Sequence, residues 1–137
     1  MKADRFLRVL CFFAFVCALS FAGDKRCEKL SFHDEESVYM RGYSCFYPAQ
    51  TIAGAYADFR SGQIAENVDD PSYKILRVEL KVGKNYEETY KNTTAIKYLW
   101  DNDKTLNVNI IGESKETNVG FIQEASGTRM SVIFSTY

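Results

Sequence analysis

From Thr94 onward, apolar and polar residues alternate with the two-residue period of a half-buried β-strand. Ile96, Tyr98 and Trp100 share one face of "TTAIKYLW", and Leu106, Val108 and Ile110 share one face of "TLNVNII". Between these runs, Asp101 to Lys104 reads as a hairpin turn, because Asn and Asp tolerate the left-handed backbone that such turns need. After Gly112 and the polar stretch "ESKET" comes "NVGFIQEA", which turns through "SGT" into "RMSVIFSTY". There Met130, Val132 and Phe134 alternate, so the last run is expected inside a sheet or barrel, with Phe134 in the core and Tyr137 closing the end. Four strands joined by short loops make a meander.

The preceding segment, "SYKILRVELKV", alternates in the same way. Leu76, Val78, Leu80 and Val82 fall on one face and Ile75, Arg77, Glu79 and Lys81 on the other, so another strand is expected. Further back the pattern is less regular. "SVYMRGYSCFY" reads as a strand with a bulge or bend at Gly42, closed by Pro48, which cannot donate to a ladder. "TIAGAYADFR" fits a strand or a short helix, and "SGQIAENVDDPS" reads as a connection. No apolar pattern of helical period is long enough for a helical layer. The expected fold is all-β: an antiparallel sandwich or barrel ending in the four-strand meander. An aromatic content of 15%, chiefly Tyr and Phe, points the same way, since these residues favour strands.

The beginning of the chain has another character. Lys2, Arg5 and Arg8 precede an apolar run from Val9 to Ala22, and Ser20 and Ala22 are small residues where a signal peptidase reads. The run is shorter than the roughly 20 residues that span a bilayer, so residues 1–22 are expected to be a cleaved secretory signal and 23–137 a single soluble β domain. No later segment is apolar enough to cross a membrane.

Cleavage would change both the cysteine count and the charge. Cys11 and Cys17 would leave with the signal, and Cys27 and Cys45 would remain, a pair that an oxidising compartment joins as one disulfide. Closing that loop of about 19 residues stabilises by roughly 3 kcal/mol in the chain-entropy picture. Two such distant cysteines beside a single histidine make a poor zinc site, and no metal or other cofactor is expected. The seventeen basic and eighteen acidic residues of the whole chain become fourteen and seventeen, a net charge of about −3. That mild acidity, without a basic stripe, argues against a nucleic-acid partner, and there is no Lys- and Arg-rich amphipathic helix for a membrane surface.

Catalytic chemistry finds little footing. Ser31, His33 and Asp34 are close along "SFHDEES", but neighbouring strand residues point to opposite faces and no nucleophile elbow accompanies them. The acidic pairs Asp69-Asp70 and Glu87-Glu88 read as solvated charges, and Asp101-Asn102-Asp103 lacks the glycine and distal glutamate of a calcium loop. No catalytic residue is assigned and the chain is not expected to be an enzyme. Asn92-Thr93-Thr94 fits the N-glycosylation acceptor pattern, which marks Asn92 as a candidate for modification.

Several features of the C-terminal half together resemble the multiprotein bridging factor 2 family of small arthropod proteins, many of them salivary secreted peptides. They are Thr94-Ala95-Ile96, the turn at Asp101 to Asp103, Ile111-Gly112, Asn118-Val119, Ser126-Gly127 and "MSVIFSTY". The chain departs from that pattern at "GESKE", where the family has several glycines, and at "QEASGTR", where it has a basic turn. The resemblance implies a secreted β-protein. The family's name implies a transcriptional coactivator, a role that a signal peptide opposes.

Two function classes remain, and the first of them leads. One is a non-enzymatic extracellular interaction or effector protein of salivary, venom or haemolymph type, acting on an unknown extracellular protein partner. The other is a lipocalin-like carrier, with Tyr and Phe lining a cavity for a small apolar ligand; a coactivator stands third. N-terminal sequencing of the exported chain should begin at Gly23, and retention in the cytosol with Met1 intact would contradict the signal-peptide reading.

Overall fold

The computed structural model describes residues 25–32, 39–61, 75–91 and 94–137. Seven strands and one helix account for most of them: β1 (Arg26–Leu30), β2 (Tyr39–Pro48), α1 (Ile52–Arg60), β3 (Tyr86–Tyr90), β4 (Thr94–Asn102), β5 (Thr105–Ile111), β6 (Lys115–Glu124) and β7 (Gly127–Thr136). All strand pairings are antiparallel, in a single sheet of order β1-β2-β7-β6-β5-β4-β3, left open between the β1 and β3 edges. The all-β expectation holds. So does the meander, since β4 to β7 are consecutive neighbours.

The hairpins form for the reasons their sequences give. Lys104 N–H donates to Asn102 Oδ1 at 2.8 Å, so the Asn side chain supplies the turn's local hydrogen bond. At the β6–β7 turn, Gly127 is required by close approach: a Cβ there would collide with the Tyr47 carbonyl. Pro48 is the last residue of β2, as expected, and Ala49 then turns the chain at φ 57°. Ala49 N–H donates to Ser126 O at 2.8 Å and Thr128 Oγ1 to Gln50 O at 2.7 Å, fixing this corner to the β6–β7 hairpin. Helix α1 starts there, with Thr51 as N-cap accepting from Gly54 N at 3.2 Å and Arg60 in the last turn.

Gly42 differs from its expected role. The register runs without a shift from Leu30 through Gly42 to Ile133, so there is no bulge. A Cβ at Gly42 would meet the Val132 carbonyl and Ile133 Cα, and the Phe32 ring lies beside the same spot. The glycine serves close packing. A second difference concerns 76–82, which is irregular chain: Leu76 is 2% exposed, whereas Val78 is 73% and Val82 63% exposed. The strand that precedes β4 is instead the polar edge strand β3, "YEETY".

Register shows how the core is built. One row crosses the sheet as Tyr43, Val132, Val119, Val108 and Tyr98, and the next as Cys45, Met130, Phe121, Leu106 and Trp100. Apart from half-buried Trp100, all of these are buried. Ile52, Ala55, Tyr56 and Phe59 of α1 cover this face, with Tyr56 and Phe59 meeting the Phe121 ring edge-on at 5.9 and 6.1 Å between centroids. Cys27 and Cys45 stand opposite each other on β1 and β2 and are disulfide-bonded, as expected of the pair that remains after residues 1–22.

Phe121 thus joins sheet to helix. Phe121→Ala should lower unfolding stability by about 3–5 kcal/mol, measured by urea denaturation. A loss under 1 kcal/mol would show that α1 does not pack on this face.

Candidate functional site

The face covered by α1 is concave, as the lining of one cavity shows. Arg41 on β2 and Tyr90 and Lys91 at the end of β3 line the same cavity, although β7, β6, β5 and β4 lie between their strands. In a flat sheet five strand spacings would hold β2 and β3 about 24 Å apart. The sheet therefore curls without closing, and its open end retains a cavity of about 500 Å³.

The floor of this cavity continues the core rows toward the sheet end. Phe134, Thr117 and Ile110 are consecutive across β7, β6 and β5, with Arg41 opposite Phe134 on β2. Thr94, Gly112, Lys115 and Thr136 form the rim, and Ile75 enters from the segment before β3. The Arg41 guanidinium lies 5.0 Å from the centre of the Phe134 ring, an exposed cation over an aromatic face. Glu116 also lines the cavity, and its carboxylate already accepts from Tyr137 Oη at 2.8 Å.

The segment that brings Ile75 into the cavity is held by a clamp centred on Arg77. Tyr56 Oη of α1 donates to Arg77 O at 2.6 Å, and Arg77 N–H donates to Tyr98 Oη on β4 at 2.8 Å. Arg60 Nε donates to Leu76 O at 2.8 Å. The Arg77 side chain pairs with Glu88 and lies 3.8 Å over the Tyr86 ring, both on β3. Segment 75–80 is thereby tied to helix and sheet through its backbone, which accounts for its irregular path. Another cluster, at the β1 side, joins Lys25 to Asp58 at 3.1 Å beside the Tyr47 ring.

These tyrosines titrate unusually high. Burial pushes the Tyr56 hydroxyl up, with neighbouring Tyr98 adding to it. Burial also raises Tyr98, and the hydrogen bond from Arg77 N–H partly offsets the rise. Tyr47 is raised by burial first and by Asp58 second. The carboxylate of Glu88 acts in the same direction on Tyr56 and Tyr98, so burial and negative charge together keep these hydroxyls protonated.

The sequence-derived candidates fall elsewhere. Cys27 and Cys45 form their disulfide, with Cys27 exposed on the edge strand and Cys45 buried. Asn92, His33, Asp34, the Asp69-Asp70 pair and the proposed signal with its cleavage site lie outside the described residues. Asp101 to Asp103 belong to the β4–β5 hairpin. Among the described residues no three of His, Cys, Asp and Glu converge as metal ligands, and no helix is long and apolar enough to cross a membrane. The cavity itself had no sequence signal beyond Phe134 and Ile110, because strand alternation shows which residues share a face and not whether that face is covered. Comparisons with protein-family models, curated proteins and solved structures find no match.

The tyrosine network makes stability depend on alkaline pH. The folded values of Tyr56 and Tyr98 lie above the ordinary 10.0, so between that pH and the folded values only the unfolded chain gives up these protons. The contribution is complete below about pH 10 and is lost as pH rises through the folded values, by up to about 1.4 kcal/mol per pH unit for each tyrosine. Denaturation at pH 9 to 11.5 should show this slope, and Tyr56→Phe should make it shallower. Equal slopes in the two proteins would contradict the burial of the Tyr56 hydroxyl.

Proposed function

We propose that this protein is an exported, non-enzymatic binding protein that holds one small ligand with an apolar body in the open end of its curled sheet. The observation that carries this reading is the cavity itself. Its volume of about 500 Å³ lies within the range of small-molecule sites, and its lining combines apolar Phe134, Ile110 and Ile75 with a few hydroxyls, among them that of Thr117 on the floor. The carrier class, second among the sequence expectations, is thus favoured over the first in a modified form, with an open sheet and a helix-filled core in place of a closed barrel.

Export is supported by the basic and apolar start of the chain and by the Cys27–Cys45 disulfide, which suits an oxidising compartment. The resemblance of β4 to β7 to the multiprotein bridging factor 2 family supports the same destination and adds no activity. A protein-docking role has less behind it. Of the exposed large apolar residues, Met40, Leu99 and Ile122 lie on β2, β4 and β6, no two of which are neighbours in the sheet; Val78 and Val82 lie on the irregular segment before β3, Tyr90 lines the cavity and Tyr137 follows β7.

Titrating the oxidised mature chain with the neutral fluorophore N-phenyl-1-naphthylamine should give saturable binding of one molecule per chain. Thr117→Trp fills the floor and should abolish that binding while leaving a cooperative melt. Absence of saturable binding to the unsubstituted protein, or undiminished binding to the Trp variant, would overturn the proposal.

A further inference from the structure

The charges around the cavity differ from those of the chain as a whole. The sequence is net acidic, yet Arg41, Lys91 and Lys115 line this one site against a single carboxylate, that of Glu116. Glu116 is engaged by the Tyr137 hydroxyl. The three cations differ from Lys25, Arg77 and Arg129, which have carboxylate partners in Asp58, Glu88 and Glu124. Among the described residues Arg41, Lys91 and Lys115 have no carboxylate partner: Arg41 rests on the Phe134 ring and Lys91 lies 5.3 Å from the Tyr90 ring centre. Aromatic rings hold a cation in place without neutralising it.

From this we infer that the ligand is a single-chain amphiphile with an anionic head, its apolar body on Phe134 and Ile110 and its head at the mouth between Arg41 and Lys115. The inference rests on the binding reading above and specifies its chemistry. Arg41 is the positioning cation, because its guanidinium is already set over the ring that bears the apolar body and presents a planar fork of donors to a carboxylate or phosphate. Thr94 and Thr117 add hydroxyls on the same lining. A cationic amphiphile would meet like charge at the mouth, and an uncharged one would gain no attraction from the three cations.

Four probes with the same chain test this by calorimetry: dodecanoate, dodecyl phosphate, dodecan-1-ol and dodecylammonium, each below its aggregation concentration at pH 7.5. The anionic probes should bind at least tenfold more tightly than the alcohol, and the ammonium most weakly. Whichever anion is the tighter identifies the head as carboxylate or phosphate. Decanoate, dodecanoate and tetradecanoate should gain up to about fourfold in affinity per methylene buried. Arg41→Gln should reduce the dodecanoate-to-dodecanol affinity ratio about tenfold and Arg41→Lys should restore part of it, a readout that altered stability alone would not move. Equal affinity for the alcohol and the anions, or a ratio unchanged in Arg41→Gln, would overturn the anionic assignment while leaving the binding proposal standing. Failure of all four probes together with the neutral fluorophore would overturn both.

Discussion

An open sheet that curls has one face it cannot cover by itself. A closed barrel fills its interior with side chains from its own strands, and a sandwich uses a second sheet. Here the concave face must find its cover in the short chain segments between strands. Helix α1 and residues 75–80 provide it, and the arrangement around Arg77 makes the two act together. The Arg77 backbone N–H and C=O are satisfied by Tyr98 from the sheet and Tyr56 from the helix. Neither polar group could be buried beside Leu76 without such a partner. The junction fixes the path of the irregular segment against the helix, which is itself seated on Phe121.

The sheet edges follow a different logic. Strands β1 and β3 are short and polar, as exposed edges tend to be, and neither carries the clean alternation of the interior strands. Edge β1 is additionally bonded to β2 by the Cys27–Cys45 disulfide, and Lys25 just before it reaches Asp58 on α1. Edge β3 is held by Glu88 and Tyr86, the two side chains that receive the Arg77 guanidinium. Each edge is therefore anchored by a specific side-chain link where burial offers little.

This division explains which elements were legible in the sequence. Strands β4 to β7 could be read because each is buried on one face, so Ile96, Val108, Val119 and Val132 stand at period two. The same period misled at 76–82. There Leu76 is buried by a single irregular turn, while Val78 and Val82 alternate with Arg77, Glu79 and Lys81 but face solvent. Residues 86–90, by contrast, form a strand in which only Tyr86 packs against the core, too little alternation to read, because an edge strand can be fixed by ladder bonds and one ion pair. Helix α1 was ambiguous because Ala53, Gly54, Ala55 and Ala57 dilute its periodicity, and contact with Phe121 decides its state. Gly42 was recognised as special, but whether it served a bulge or a close approach depends on the neighbouring strand β7, which is remote in sequence. The cavity was the least legible feature, since it depends on the sheet's curl and on how far the cover reaches.

The cavity and the core are adjacent stretches of one surface. The row Tyr43, Val132, Val119, Val108 and Tyr98 is buried throughout, and two residues further along the same strands lie Arg41, Phe134, Thr117, Ile110 and Ile96. Ile96 and Ile110 in this second row are still buried, Phe134 is half-buried, and Arg41 is exposed. The gradient runs away from the strands nearest the Arg77 clamp. Chain composition follows it, from aliphatic residues under the cover to an aromatic ring, a hydroxyl and a cation where the cover ends. A site made in this way requires no inserted loop or separate module. Its floor inherits rigidity from the ladders beneath the core, and the same strands that stabilise the fold one row inward set the shape of the opening one row outward.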